Sequence, residues 1–141
     1  MVQPRYLLDT NILSALIKQP QGTLAQRLAT HAESSYCTSI IVACELRYGA
    51  QRKGSERLTQ QVEAVLNSID VLPLEAPTDR HYGEIRAALE NVGQPIGHND
   101  LLIAAQARAL GLVVVTENMR EFSRVPGLLV ENWAESGRSP D

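Results

Sequence analysis

Aromatic residues are scarce in this 141-residue chain, at 4% of the total, with one tryptophan and one phenylalanine. The core must therefore be filled mostly by Leu, Val, Ile and Ala. Cysteine is scarce too: Cys37 and Cys44 form neither a zinc-binding spacing nor a disulfide framework. Both sit in apolar stretches, and free buried thiols fit a reducing cytoplasm. The histidines, His31, His81 and His98, show no ligand spacing; His98 alone lies close to another candidate, two residues before Asp100. No basic-plus-apolar leader opens the chain. No apolar run nears the roughly 20 residues that a membrane helix needs. These absences give the expectation of a cytoplasmic protein with no membrane association.

An excess of positive charge is also missing. The formal net charge is −3, which argues against a protein that coats nucleic acid without regard to sequence, since that needs a strongly basic surface. It does not exclude an enzyme that cuts nucleic acid, because acids in such a site can meet phosphates through bound cations. Several motif-based readings fail for want of a residue. A dinucleotide binder needs G-x-G-x-x-G after its first strand, and none is present. A phosphatase with an aspartyl nucleophile needs a second Asp two residues after the first, and that place holds Asn11. A receiver-type signalling domain needs an acidic pair and a late lysine, which are absent.

What is present is ordinary for a folded domain: 44% apolar and 21% charged residues. The length predicts a single domain over residues 1–134, able to bury roughly two-thirds of its unfolded surface, followed by a polar tail at 135–141. There is no internal repeat and no linker. Residues 5–8 read as a short buried strand. Asn11 is placed to cap a helix carrying Ile12, Leu13, Leu16 and Ile17, punctuated by Pro20 and Gly22. Leu24, Ala25, Leu28 and Ala29 repeat at helical spacing, and residues 35–38 suggest a second strand. In TSIIVACELRYGA, Thr38 or Ser39 offers a cap for a helix reaching about Gly49. Leu58, Val62, Val65 and Leu66 mark another helix, and residues 71–74 a third strand. Pro77 opens a long helix that Gly93 can stop. QPIGHND reads as a loop, LLIAAQARAL as a buried helix, residues 112–115 as a central parallel strand, and residues 128–130 as a last short strand. Strands alternating with helices predict an α/β/α sandwich around a mostly parallel sheet. Ligands of such sheets bind beyond the carboxyl ends of the strands.

Acids gather where that rule points. The apolar run Tyr6-Leu7-Leu8 stops on Asp9, and Glu117, Asn118 and Glu121 follow the run that ends at Thr116. Glu45 and Asp100 sit on helices rich in apolar residues. Each has an ordinary explanation taken alone. Asp9 can cap a helix, Glu45 can face solvent, and Glu121 can pair with Arg120 or Arg124. Asp100 can be a first-turn acid, stabilised by about 0.3–1 kcal/mol through the helix dipole. Taken together they repel. Two carboxylates about 4 Å apart cost about 4 kcal/mol at an effective dielectric of 20, unless one holds a proton or a cation lies between them. A hard divalent ion with oxygen ligands, Mg²⁺ or Mn²⁺, is the natural resolution.

LLDTNILSAL, SIIVACELRYGA and GQPIGHNDLLIAAQARALGLVVVTENMREFSRVPGL, in that order and spacing, resemble the PIN-domain ribonucleases, and among them the VapC toxins of bacterial toxin–antitoxin pairs. The resemblance spans about residues 6–133. It implies an α/β/α sandwich with acids over the sheet edge, and Mg²⁺-dependent hydrolysis of RNA that leaves 5′-phosphate and 3′-hydroxyl ends. By position, Asp9, Glu45 and Asp100 match the family's first three acids. The fourth place is divided: Asn118 stands where many relatives have Asp, Glu121 is the better acid, and Glu117 is the weaker alternative. The resemblance further implies that Asp9 and Asp100 hold Mg²⁺ (Mn²⁺ substituting) and that Glu45 and Glu121 lie near a second ion or its waters. Thr10, Asn11, Thr116 and Asn118 would then orient these ligands. It implies a transfer RNA substrate cut in its anticodon stem–loop, a homodimer, and a VapB-type antitoxin that covers the site, with residues 40–48 or 13–28 as contact surface. Arg47, Arg52, Lys53, Arg57 and Arg120 are the expected RNA contacts. The rival reading is a catalytically inactive PIN-like module that binds RNA or a partner.

Overall fold

Strands of three and four residues form the sheet, and their position in it follows their composition. In the computed structural model, which describes residues 4–134, β1 (Tyr6–Leu8), β2 (Tyr36–Ser39), β3 (Asp70–Leu72), β4 (Val113–Val115) and β5 (Leu129–Glu131) form one sheet. The strand order is β3-β2-β1-β4-β5 and every pairing is parallel. β1 and β4, apolar at each position, are buried on both faces, as strands covered by helices on both sides must be. The edge strands β3 and β5 carry charged residues and are partly exposed.

Among the described residues the α-helices of the outer layers are α1 (Thr10–Lys18), α2 (Thr23–Leu28), α3 (Ile40–Lys53), α4 (Glu56–Asn67), α5 (Thr78–Asn91), α6 (His98–Leu110) and α7 (Met119–Phe122). The α/β sandwich with a parallel sheet read from the sequence is the architecture found, with local differences. Asp9, not Asn11, caps α1: its backbone is extended and its side chain accepts the Thr10 N–H. Ser39 caps α3 as expected. That helix runs past Gly49 to Lys53, because a mid-helix glycine weakens a helix by roughly 0.5–1 kcal/mol without ending it. The stop is Gly54, whose φ of 64° is left-handed and relatively free of cost only for glycine. α6 begins at His98, inside the segment read as a loop. α7 has no counterpart in the sequence reading, since four residues show no helical period. The polar tail at 135–141 lies outside the described residues. No helix among the described residues is long and apolar enough to cross a membrane.

The cysteines divide. Cys37, on β2, is buried, and burial pushes its thiol up to about 12. Cys44 is exposed, which corrects the expectation of two buried thiols: Val42, Ala43, Leu46 and Ala50 occupy the core face of α3 and turn residue 44 outward. Under native conditions a maleimide should therefore label one thiol per chain, at Cys44, and the second only after denaturation. Rapid labelling of both, read by intact mass, would contradict this arrangement.

Candidate active site

β1 and β4 are neighbours, with Leu8 opposite Val115, so the residues that follow them emerge side by side. Asp9 leaves β1 with its N–H still bonded to the Val115 carbonyl at 3.0 Å. Its side chain is buried and held from both sides. Oδ1 accepts the Thr10 N–H at 2.8 Å, and Oδ2 accepts the Thr116 hydroxyl at 2.7 Å. Asn11 Nδ2 lies 3.4 Å from Oδ2 and 3.3 Å from Thr116 Oγ1. The Thr116 hydroxyl in turn accepts the Asn118 N–H at 2.9 Å, and Asn11 Oδ1 accepts the Glu117 N–H at 3.0 Å. The first and fourth strand ends are thereby stitched into one rim by Asp9, Asn11 and Thr116.

Helices bring the other acids to that rim. Glu45, in the second turn of α3, accepts the Thr10 hydroxyl on Oε1 and the Asn99 amide on Oε2, the latter at 3.0 Å. Asp100, in the first turn of α6, accepts the Asn118 amide on Oδ2 at 2.9 Å, and Glu121 is among the acids that act on its charge. Glu121, on α7, also accepts the Gly97 N–H at 3.1 Å. Glu45, Gly97, His98, Asn99, Asp100 and Glu121 line an open depression of about 400 Å³.

Charge makes this rim unusual. Burial pushes the Asp9 carboxyl up, and the Glu45 charge adds to that, while the bonds from Thr116 and Thr10 pull it back down. Asp100 is pushed up to about 7: burial acts first, then the charge of Asp9, then the hydrogen bond and charge of Glu121, then Glu45. A carboxylate so placed favours either a proton or a cation.

The donor set is all oxygen, which suits a hard divalent ion. Among the described residues no group of three or more His, Cys, Asp or Glu side chains is arranged to enclose a metal by itself. Mg²⁺ does not require one. It is commonly held by one or two carboxylates and keeps several waters for exchange with substrate oxygens. Asp9 and Asp100, each destabilised as an anion by its surroundings, fit that pattern.

The remaining candidates separate. Asn118 bonds to Asp100 and Glu121 acts on its charge, so both fourth-place candidates stand beside Asp100. Glu117 is exposed and contributes its backbone N–H. Arg47 faces α4 and is bound through both its Nε and Nη2 to Glu63, at 2.9 and 2.7 Å, in an ion pair exposed on both sides. Arg52, Lys53, Arg57 and Arg120 are exposed. Sequence reasoning misses Asn99 and the Gly97 N–H, because it starts α6 too late. The signal is there: HND at a helix start places a polar residue immediately before Asp100.

The chain matches the PIN domain family over residues 6–128. It is similar to the tRNA(fMet)-specific endonuclease VapC of Shigella flexneri, 39% identical over 131 residues that make up 92% of this chain and 98% of that protein. Its fold is similar to that in the crystal structure of DNA-bound VapBC from Salmonella typhimurium, with a TM-score of 0.87, 38% identity, and coverage of 93% of this chain and 99% of that one. It is also similar to VapBC2 from Rickettsia felis bound to a DNA fragment from its promoter, with a TM-score of 0.85, 36% identity, and coverage of 91% and 98%.

Proposed function

The chain belongs to the PIN-domain family and, within it, to the VapC ribonucleases, and from that membership we propose that the protein is the toxin of a bacterial toxin–antitoxin pair. It is an endoribonuclease that hydrolyses RNA phosphodiester bonds with a divalent cation, Mg²⁺ or in its place Mn²⁺, and so inhibits translation in the cytoplasm. The single observation that supports this reading best is the state of Asp100: a half-buried carboxyl pushed up to about 7 among Asp9, Glu121 and Glu45. Such a site is relieved by a cation, and phosphate substrates bring one.

Asp9 and Asp100 would hold the ion. When bound, it supplies an activated water and neutralises charge on the phosphate. Glu45, with each oxygen fixed by a different helix, is positioned to orient the attacking water and accept its proton. Glu121 and Asn118 fix Asp100. Thr116, Thr10 and Asn11 hold Asp9 in one rotamer, as partners of ligands do. The substrate is a transfer RNA, cut in the anticodon stem–loop. This rests on the resemblance and on the name of the Shigella relative. A VapB-type antitoxin would neutralise the enzyme. Two apolar surfaces are available to it and to a second copy in a homodimer: exposed Ile40 and Tyr48 on α3, and a groove of about 580 Å³ that includes Leu13, Leu16 and Leu28.

The test is cleavage of end-labelled RNA by purified protein with Mg²⁺ and with EDTA, followed by sequencing of the products. Cleavage confined to the Mg²⁺ arm, with 5′-phosphate ends, is expected. Full cleavage in EDTA would falsify the metal mechanism. No cleavage of any RNA would favour a non-catalytic binding module.

The same acids govern stability. An unfolded Asp releases its proton near pH 3.9, whereas native Asp100 keeps it up to about 7. Between those values the native state binds more protons than the unfolded state, so unfolding free energy falls as pH rises. Metal-free protein should therefore melt at lower temperature at pH 8 than at pH 5.5. Saturating Mg²⁺ at pH 8 should raise the midpoint by binding the native state. A midpoint that rises with pH in EDTA and ignores Mg²⁺ would contradict the clustered site.

A further inference from the structure

Two stripes of residues spaced four apart face each other beside the acid site. On α1 they are Thr10, Ser14 and Lys18; on α3, Glu45, Gly49 and Lys53. Residues four apart share one side of a helix, and these six line one depression of about 220 Å³. The first rung is closed, since Thr10 donates to Glu45. The middle rung is open, since a Cβ at Gly49 would meet nothing within 4 Å. The far rung, about 12 Å along each helix at 1.5 Å per residue, holds both lysines. They are the only lysines in the chain. The ion pairs among the described residues are Arg47–Glu63, Arg86–Glu90 and Arg108–Glu84, and neither lysine takes part. Glu45 lines this depression and the acid depression alike, so the two meet at that carboxylate. The floor is apolar, with Leu46 and Val62.

We propose that this channel between α1 and α3 is a subsite for the RNA strand flanking the cut, with Lys18 and Lys53 on its phosphates and a base over the apolar floor at Gly49. The proposal rests on the nuclease reading of the acid site, where the scissile phosphate would lie. A lysine at each helix C-terminus is favoured by the helix dipole alone. The dipole does not require both to border one channel, outside every ion pair named above, at the same remove from its first rung. A phosphate backbone leaving the acid site needs compact cations of this kind and an open floor where a glycine interrupts the helix surface.

The experiment uses a fluorescent single-stranded RNA oligonucleotide with the full chain, its K18Q/K53Q variant and its Gly49→Leu variant. Cleavage is followed in Mg²⁺, and anisotropy in EDTA across a salt series. K18Q/K53Q should raise KM and Kd about tenfold at low salt and leave kcat within about twofold. The slope of log Kd against log salt should become shallower by about 1.4, or about 0.7 for each single-strand phosphate that the variant no longer neutralises. Gly49→Leu should raise KM with the charges intact and no fall in the thermal midpoint, since leucine is the better helix former. If wild-type protein cleaves RNA and both variants match it in KM, Kd and salt slope, the subsite is wrong and the nuclease reading stands. If wild-type protein binds RNA through the lysines but never cleaves it, the nuclease reading fails and the subsite stands. If it neither binds nor cleaves RNA, both fail. Variants that bind RNA normally but lose the cognate antitoxin would assign the channel to a protein partner and overturn the proposal.

Discussion

Asp9→Asn is expected to lower Mg²⁺-dependent RNA cleavage by about a thousandfold or more, with the fold intact. The magnitude follows from the several kcal/mol that a bound cation contributes to transition-state charge stabilisation, about 4 kcal/mol being a factor of about a thousand. The intact fold follows from the other duty of Asp9. It caps α1 through the Thr10 N–H, and Asn is as good a cap as Asp. The substitution also removes a buried negative charge that its surroundings disfavour, so the thermal midpoint in EDTA should hold or rise. Asp100→Ala should abolish cleavage equally and flatten the fall of stability with pH. Cleavage rates and melts on the same preparations separate the site from the scaffold. Activity within tenfold of wild type for Asp9→Asn would remove Asp9 from the metal site. A collapsed fold would instead make it structural.

Trp133→Ala is expected to cost about 3–5 kcal/mol of unfolding free energy, a large share of the roughly 5–15 kcal/mol typical of a domain. Trp133 is wholly buried. It stacks on His31 with centroids 4.8 Å apart, meets Tyr6 edge-on at 4.9 Å, and lies under the Arg27 guanidinium at 5.3 Å. Its indole N–H donates to Glu131 at 2.7 Å. In a chain with few aromatics this cluster gathers much of the aromatic surface, at the start of β1 and opposite the end that carries Asp9. The folded fraction of the variant should thus cleave RNA normally. Urea unfolding followed by far-UV circular dichroism measures the loss, because the substitution removes the only tryptophan. A loss below about 1 kcal/mol would mean the cluster is an ornament of the edge and not a clamp. Trp133→Phe should cost less, since it keeps the ring contact with Tyr6.

Legibility in the sequence followed the range of the interaction that fixed each feature. β4 was readable because three consecutive valines belong to a strand covered on both faces. Asp9 was readable because a charge ends an apolar run, and Asp100 because it opens an apolar helix. Asn118 and Glu121 were both readable as candidates for the fourth side, but not their joint approach to Asp100. They approach it from the cap and the third residue of a four-residue helix that has no periodic signature. Nor could the sequence commit Arg47 to Glu63, sixteen residues away on another helix.

By itself, then, the sequence determined the alternation of strands and helices, the parallel sheet, and the edge at which acids would collect. These depend on local period and on the rule that parallel strands need crossovers. Tertiary structure alone decided which acids meet and in what state. Asp9 is bonded to a threonine 107 residues away, and Asp100 is pushed up to about 7 because burial and three other carboxylates act on it at once. Electrostatic energy depends on distance and on removal from water, and neither exists until β1 lies beside β4 and α3, α6 and α7 close over the rim.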